Sequence, residues 1–328
     1  MTEATKIAVV GAGRVGSTFA FALAQSGLAR EIVLIDAERS RAEGEAMDIA
    51  HATPFYAPVS VRAGELADAA GAAVTVIAAG AAQREGESRP ALIRRNVEVL
   101  RTIVPELVRA NPQGLLLVAT NPVDALTFVT LQLSGLPPSR VFGSGTVLDT
   151  ARLRAELSAH YGVDARNVHA YVLGEHGDSE LVAWSGASLA SVQLHRYCEL
   201  TGMSCTRNDM DAIALRVRDA AYEIIRRKGA TNFAIAAALT RIVEAVVRDE
   251  ASVLTVSTLI DGQYGINGVC LSLPAVVGRF GIQRVLPVPL ADEELDRLRS
   301  SADAVRAAIG SAGIDPDQLA RNQTAHDQ

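Results

Sequence analysis

A glycine-rich loop near the N-terminus limits what this chain can fold into more than any other feature. Residues 11–16 read Gly-Ala-Gly-Arg-Val-Gly and directly follow the apolar run Ile7–Val10. In this pattern the first glycine permits a tight turn, the second lets the backbone approach a pyrophosphate, and the third lets the next helix pack closely on the strand. The free N–H groups of that helix then face the anion. We therefore predict that Gly11, Gly13, Val15 and Gly16 bind a dinucleotide.

An acidic residue at the end of the next apolar run indicates which dinucleotide is bound. The run Ile32–Ile35 ends at Asp36, which lies about 20 residues beyond Gly16 as this type of site requires. A carboxylate there accepts hydrogen bonds from the ribose hydroxyls, and it repels the 2′-phosphate of NADP. The sequence therefore favours NAD. Without the strand before the loop and the helix after it, the same residues would form an ordinary turn and a surface aspartate.

Short apolar runs alternate with helical patterns throughout the first half of the chain. Strands with apolar residues on both faces, separated by helices, are typical of a parallel sheet covered on two sides. We therefore predict an α/β fold with an N-terminal Rossmann domain, a doubly wound parallel sheet. The predicted strands are Ile7–Val10, Ile32–Ile35, Val74–Ala78 and Leu115–Val118, and the predicted helices are Ser17–Gly27, Ser40–Ala50 and Pro90–Ala110.

The second half has a different pattern, which predicts a C-terminal α+β substrate domain. Its predicted helices are Asp209–Lys228, Thr231–Asp249 and Ala291–Ile309, and its β-like runs are Ser252–Ile260 and Gly268–Leu273. A sixth possible strand near Phe142–Gly145 precedes the boundary. We place the NAD-binding domain at residues 1–144 and the catalytic domain at residues 145–312, and we expect residues 313–328 to be a disordered tail.

Composition argues against several classes of protein. The 31 basic and 37 acidic residues give a formal net charge of −6, so no basic surface for nucleic acid is expected. The three cysteines have no spaced framework, which fits a reducing compartment. We find neither an apolar run long enough to span a membrane nor a signal-peptide pattern. We therefore expect a cytoplasmic protein with no nucleic-acid or membrane partner and no metal site.

Four further segments match the motifs of one known family, in the family's order. They are residues 80–89 (GAAQREGESR), 119–124 (ATNPVD), 143–152 (GSGTVLDTAR) and 174–179 (GEHGDS). On these motifs the chain resembles the bacterial NAD-dependent L-lactate dehydrogenases from about Lys6 to about Ile309. The resemblance implies hydride transfer between NADH and pyruvate. Malate dehydrogenases share the fold and are the nearest alternative, and a non-catalytic NAD-binding protein on the same fold is the alternative from another class.

Three residues supply the groups that reduction of a 2-keto acid requires, namely a proton donor and a cation for the carboxylate. His176 lies in a glycine-flanked loop after the strand-like run His169–Leu173, and such a loop can bring the imidazole to a ligand. Asp149 and Arg152 are three residues apart on one face of a predicted helix. Asp149 can fix the histidine tautomer, and Arg152 can bind the carboxylate in a two-pronged manner. By spacing alone, a surface ion pair is an equally good interpretation.

The resemblance implies roles for four more residues. Arg89 ends a mobile loop that closes over the substrate, and it polarises the ketone oxygen. Asn121 lines both the nicotinamide and the substrate, and the bond to the following Pro122 is cis. Thr231 contacts the substrate and Ile235 the nicotinamide ring. From their sequence context alone, Thr231 is also a good helix cap and Ile235 an ordinary core residue.

The resemblance also implies a regulatory site at Arg154 and His169. These residues match the pair that binds fructose 1,6-bisphosphate across a subunit interface. Five residues turn a helix by roughly 140°, so Arg154 points away from Asp149. We expect a homotetramer in which a two-fold axis brings two such pairs together to bind the two phosphates. The alternative is an exposed arginine and a structural histidine.

Gln83 is the residue that distinguishes pyruvate from oxaloacetate. In the family this position faces the substituent on C3 of the substrate, and malate dehydrogenases have an arginine here. A neutral glutamine cannot pair with the second carboxylate of oxaloacetate, and burying that charge unpaired costs several kcal/mol. The methyl group of pyruvate has no such cost. We therefore expect pyruvate and L-lactate as the substrate pair.

Replacing Gln83 with arginine supplies the missing charge. We expect the ratio of kcat/KM for oxaloacetate to that for pyruvate to rise by about tenfold or more. The measurement is NADH oxidation with each keto acid in turn. The neighbouring variant Arg84→Gln is the control for register and is expected to leave the preference unchanged. A Gln83→Arg enzyme that gains no oxaloacetate activity would show that the substrate pocket has been misplaced.

Overall fold

The computed structural model describes residues 5–81, 89–311 and 313, and the side chain of Arg89 lies outside this set. Gln83 and, of the expected tail at 313–328, residues 314–328 also lie outside the described residues. Within the described ranges, no helix combines the length and the apolarity that crossing a membrane requires.

Strands and helices alternate through the first half of the described chain. Glycines in the left-handed region end α1 and α4, as is common at helix C-termini. The elements are β1 (Lys6–Val10), α1 (Arg14–Ser26), β2 (Glu31–Ile35), α2 (Arg39–Ala52), β3 (Ser60–Gly64), β4 (Val74–Ile77), α3 (Arg89–Ala110), β5 (Leu115–Val118), α4 (Val123–Ser134) and β6 (Val141–Gly143).

The second half begins with a helix and ends with a three-stranded antiparallel unit and a last helix. The elements are α5 (Val147–Tyr161), β7 (Val168–His169), β8 (Val172–Leu173), β9 (Leu181–Val182), β10 (Ser188–Leu189), β11 (Val192–Gln193), α6 (Leu194–Thr201), α7 (Arg207–Lys228), α8 (Phe233–Val247), β12 (Ser252–Asp261), β13 (Asn267–Gly278), β14 (Gly281–Val285) and α9 (Asp292–Ser311).

One nine-stranded sheet runs through both halves, in the order β14-β13-β12-β6-β5-β4-β1-β2-β3. Six neighbouring strands pair in parallel, in the order β6, β5, β4, β1, β2 and β3. The strands β12, β13 and β14 pair antiparallel. The two sets meet where Ser257 of β12 pairs with Gly143 of β6. The parallel strands all end at the same edge of the sheet, so the loops after β1, β2, β4 and β5 meet there.

Apolar side chains cover both faces of the parallel sheet, which explains the continuous apolar runs in the sequence. Along β1, Ile7 and Val9 pack in one buried cluster with α1 and α8, and Ala8 and Val10 pack in another with α3, α4 and α9. Successive residues of a strand point to opposite faces, so each strand contributes to both clusters. A third cluster lies between α5, α6 and α7.

The predicted fold class is confirmed, and the errors concern particular elements. The run His169–Leu173 is wrong as one strand, because β7 pairs with β10 whereas β8 pairs with β9. Thr231 does not lie in a helix, since α8 begins at Phe233 after Asn232. The elements missing from the prediction are β3, α4, β9, β10, β11, α6 and β14. Helix α4 gives little periodic signal because it is buried on nearly all sides.

Candidate active site

The glycine-rich loop connects β1 to α1 and leaves open space where a pyrophosphate is expected. Gly11 has a φ of 103°, and a Cβ on it would lie 2.5 Å from the Ala79 nitrogen. A Cβ on Gly16 would lie 1.8 Å from the Gly11 carbonyl oxygen, so both positions exclude any larger residue. A Cβ on Gly13 would have no protein atom within 4 Å. The space in front of Gly13 at the start of α1 therefore fits a phosphate group of NAD.

Asp36 lies directly beside this loop at the end of β2. One oxygen of its carboxylate accepts a hydrogen bond from the Ala12 backbone at 2.7 Å, and the other accepts one from the Glu38 backbone at 2.9 Å. These bonds orient the carboxylate next to the glycine turn, as binding a ribose requires. Val15, in the first turn of α1, is half-buried against the core on the same side of the sheet.

A buried asparagine connects the loops after β4 and β5. The Asn96 side chain accepts a hydrogen bond from the Ala81 backbone at 2.7 Å and donates one to the Asn121 carbonyl at 3.0 Å. Asn121 itself is exposed, and its bond to Pro122 is cis, as predicted. Asn96 is not among the residues predicted from the sequence, because nothing in a helical pattern indicates that one amide connects two distant loops.

The side chains of Asp149, Arg152 and His176 meet in one cluster. Asp149 lies in the first turn of α5, and its side chain is only 2% exposed. One carboxylate oxygen lies 2.6 Å from Nδ1 of His176, and the other accepts a hydrogen bond from Arg152 at 2.8 Å. Since Nδ1 faces a carboxylate, it carries a hydrogen, and Nε2 is the nitrogen left to exchange a proton with a ligand.

Asp149 determines the charge state of His176. Burial lowers the pKa of His176, but the charge of Asp149 and the hydrogen bond to it raise the pKa, with smaller contributions from Asp124 and Glu180, to about 9. Burial raises the pKa of Asp149, but the charges and hydrogen bonds of His176 and Arg152 together outweigh burial and hold that pKa below its usual value. At neutral pH the pair is therefore an imidazolium and a carboxylate, which makes His176 a proton donor.

Asp124 fixes the loop that carries His176. It lies in the first turn of α4, is 1% exposed, and accepts a hydrogen bond from the His176 backbone nitrogen at 2.7 Å. Burial raises the pKa of Asp124 to about 6, although the hydrogen bond from His176 opposes this shift. Asp124 belongs to one of the sequence motifs, but no role is predicted for it from the sequence. The available signal was an acidic residue in the first turn of an otherwise apolar helix.

The remaining predicted residues lie at two places. Thr231 lies just before α8 and Ile235 in its first turn. Both are half-buried, and α8 packs against α1. Arg154 lies on α5 and His169 on β7. The Arg154 guanidinium contacts the Ala170 carbonyl at 3.5 Å and lies 5.7 Å from the centre of the Tyr171 ring, while His169 is exposed. Of the predicted active-site residues, only Gln83 and the Arg89 side chain fall outside the described part.

Comparison with known proteins gives consistent matches along the whole chain. The model of the lactate/malate dehydrogenase NAD-binding domain matches residues 5–143, and the model of the lactate/malate dehydrogenase alpha/beta C-terminal domain matches residues 146–313. The chain is 52% identical to the L-lactate dehydrogenase of Acetivibrio thermocellus over 309 residues, which cover 94% of this chain and 98% of that protein. It is 49% identical to L-lactate dehydrogenase 1 of Clostridium acetobutylicum over 311 residues, covering 95% and 99%.

A solved structure shows the same arrangement of elements. It is the crystal structure of a lactate dehydrogenase from a Medee basin deep-sea metagenome library. The TM-score is 0.91 at 42% identity, and the match covers 94% of this chain and 99% of that one. The family model, the sequence relatives and this structure therefore indicate the same family.

Replacing Asp149 with asparagine removes the charge that holds the proton on His176. We expect the pKa of His176 to fall from about 9 by at least one unit, since the effect of burial is then less opposed. The measurement is the pH dependence of the His176 imidazole signals or of its modification by diethyl pyrocarbonate. Asp164→Asn is the control, because Asp164 pairs with Arg166 on the surface. An unchanged His176 pKa would contradict the role assigned to Asp149.

Proposed function

Because the chain belongs to the lactate/malate dehydrogenase family, we propose that it is an NAD-dependent L-lactate dehydrogenase. The reaction converts pyruvate, NADH and a proton to L-lactate and NAD⁺, and it is reversible. The observation that carries the proposal is that the buried Asp149 carboxylate holds two cations at once. One is His176, which can donate a proton, and the other is Arg152, which can bind a substrate carboxylate. The names of the curated relatives support the choice of lactate.

Each residue of the proposed site has a separate role in the reduction of pyruvate. Asp149 uses one N–H of Arg152, and the guanidinium, which is 13% exposed, has further N–H groups for the carboxylate of pyruvate. His176 donates the proton from Nε2 to the ketone oxygen and takes it back in lactate oxidation. Arg89 stabilises the negative charge that develops on that oxygen, and Asn121, Thr231 and Ile235 line the site. When bound, NADH supplies the hydride.

Residue 83 supports pyruvate over oxaloacetate within this family. With Gln83 in the position that faces the substrate, the site contributes one guanidinium, Arg152, for a single substrate carboxylate. A second carboxylate would have no partner from Gln83, so a dicarboxylic substrate is disfavoured. Asp36 beside the glycine loop supports NAD as the nucleotide.

A paired assay tests the proposed activity. The purified protein is mixed with NADH and either pyruvate or oxaloacetate, and the loss of NADH absorbance is followed. We expect kcat/KM for pyruvate to exceed that for oxaloacetate by about a hundredfold or more. His176→Asn is the control, since it cannot supply the proton and should lose the activity. A preference for oxaloacetate would indicate a malate dehydrogenase, and no activity with either keto acid would indicate a non-catalytic protein.

We also propose that fructose 1,6-bisphosphate activates a homotetramer through Arg154 and His169. Among the described residues, no carboxylate pairs with Arg154, which is half-buried, and burial lowers the pKa of its guanidinium. His169 is adjacent in sequence to Ala170, whose carbonyl oxygen Arg154 contacts. Two copies of Arg154 brought together by a two-fold axis repel each other until phosphates bind between them. The cytoplasmic location of the protein and its division into domains at residues 1–144 and 145–312 remain predictions.

Pyruvate saturation with and without the bisphosphate tests this regulation. We expect the effector to lower the pyruvate concentration at half-saturation by about fivefold or more at low protein concentration. Arg154→Gln should abolish the response, whereas Arg166→Gln should keep it, because Arg166 is exposed and pairs with Asp164. Identical curves for the unmodified enzyme, or dimers in sedimentation experiments with the effector present, would contradict the proposal.

A further inference from the structure

A third carboxyl group lies behind the Asp149–His176 pair. Glu180 follows a turn in which its backbone nitrogen bonds to the Gly177 carbonyl at 3.1 Å, so it is tied to the loop that carries His176. A carboxylate oxygen of Glu180, one of Asp149 and a ring nitrogen of His176 all lie within 4.8 Å of one another. Two carboxyl groups therefore flank one imidazole, and Asp149 alone has the direct hydrogen bond.

Glu180 is buried without the partners that stabilise Asp149. Its exposure is 8%, and among the described residues none donates a hydrogen bond to its carboxyl. An ionised carboxylate in such a place is costly, so the neutral form is favoured. Burial, followed by the charge of Asp149, raises the pKa of Glu180 to about 8, whereas His176, Arg152 and Arg218 act in the opposite direction.

A cavity on the other side of Glu180 connects this group with the surface. The cavity measures about 260 Å³, and α7, α9 and β9 enclose it. Two arginines and one further acid face it, namely Arg218, Arg297 and Asp211. The Arg218 side chain is 42% exposed, so the cavity reaches solvent there. Glu180 can therefore exchange its proton with water without passing through the substrate site.

The charges of Glu180 and His176 depend on each other. An imidazolium on His176 favours an ionised Glu180, and an ionised Glu180 in turn keeps the proton on His176. Around Glu180 the other charged groups are Asp149 and Arg152 on α5, Asp211 and Arg218 on α7, and Arg297 on α9. Asp149 is bonded to the imidazole, and Asp124 is bonded to the His176 backbone nitrogen on the α4 side. Glu180 therefore adds negative charge at this ring beside Asp149 and Asp124.

We propose that Glu180 is a positioning residue for the catalytic proton: its carboxyl, buried beside Asp149 and close to the His176 ring, keeps His176 charged when it ionises at alkaline pH. The inference rests on the proposed function, because pyruvate reduction requires the imidazolium. Glu180 thereby extends the pH range in which the enzyme reduces pyruvate. It does so without touching the substrate.

The test compares Glu180→Gln with the unmodified enzyme in pyruvate reduction across the pH range. Because glutamine is similar in shape to the neutral acid, kcat/KM at pH 7 should change by less than about threefold. The alkaline limb of the kcat/KM profile should move to lower pH by about one unit, since the variant cannot form a negative charge at residue 180. Glu156→Gln is the matched control. Glu156 lies on the same helix as Asp149 but pairs with Arg216 on the surface. The alkaline limb of the Glu156→Gln profile should therefore not move.

The outcomes separate this inference from the proposed function. Coincident alkaline limbs for Glu180→Gln and the unmodified enzyme would overturn the inference and leave the lactate dehydrogenase activity intact. A shift of equal size in Glu156→Gln would overturn it too, because net charge alone would then explain the effect. Failure of Glu180→Gln to fold at pH 7, seen as loss of a thermal unfolding transition, would contradict a neutral Glu180. An unmodified enzyme that does not reduce pyruvate would instead overturn the proposed function.

Discussion

The active site depends on one buried carboxylate, Asp149, and on the two cations that it holds. A lone buried carboxylate is unstable, and this one is stabilised because Arg152 and His176 each contact one of its oxygens. The same bonds orient the guanidinium and the imidazole towards a common space. The stability of the fold and the arrangement of the catalytic groups therefore depend on the same contacts. Removing Arg152 or His176 leaves part of the Asp149 charge uncompensated and takes away a contact that orients the remaining cation.

The sheet brings these groups to the cofactor. The glycine loop, Asp36 and the Asn121 loop all follow parallel strands, so they share one edge of the sheet. Asn96 connects two of these loops through a single amide, and Asp124 holds the backbone of His176 from the start of α4. The reacting groups are thus fixed by short bonds to rigid elements rather than by the loops alone.

Much of this could be read from the sequence where the signal is local. The glycine spacing, the Asp149–Arg152 spacing and the apolar runs depend on neighbouring residues, and the structure brings Asp149, Arg152 and His176 together. Asn96, Asp124 and Glu180 could not be found in this way. Asn96 bonds to residues 15 and 25 positions away and Asp124 to one 52 positions away, while Glu180 lies near Asp149 of another element. Similarly, β3 lies at the edge of the sheet with one buried residue, Val61, and so lacks the apolar run that marked the central strands.

The meeting of β6 and β12 has a consequence for how the two halves of such a protein can be exchanged. The family models end and begin on either side of this point, at residues 143 and 146, yet the backbone hydrogen bonding of the sheet continues across it. Without β12, the strand β6 would become an open edge with three buried residues and no covering partner. A second half taken from a relative would therefore have to bring a strand that matches this edge, as well as a compatible set of catalytic residues.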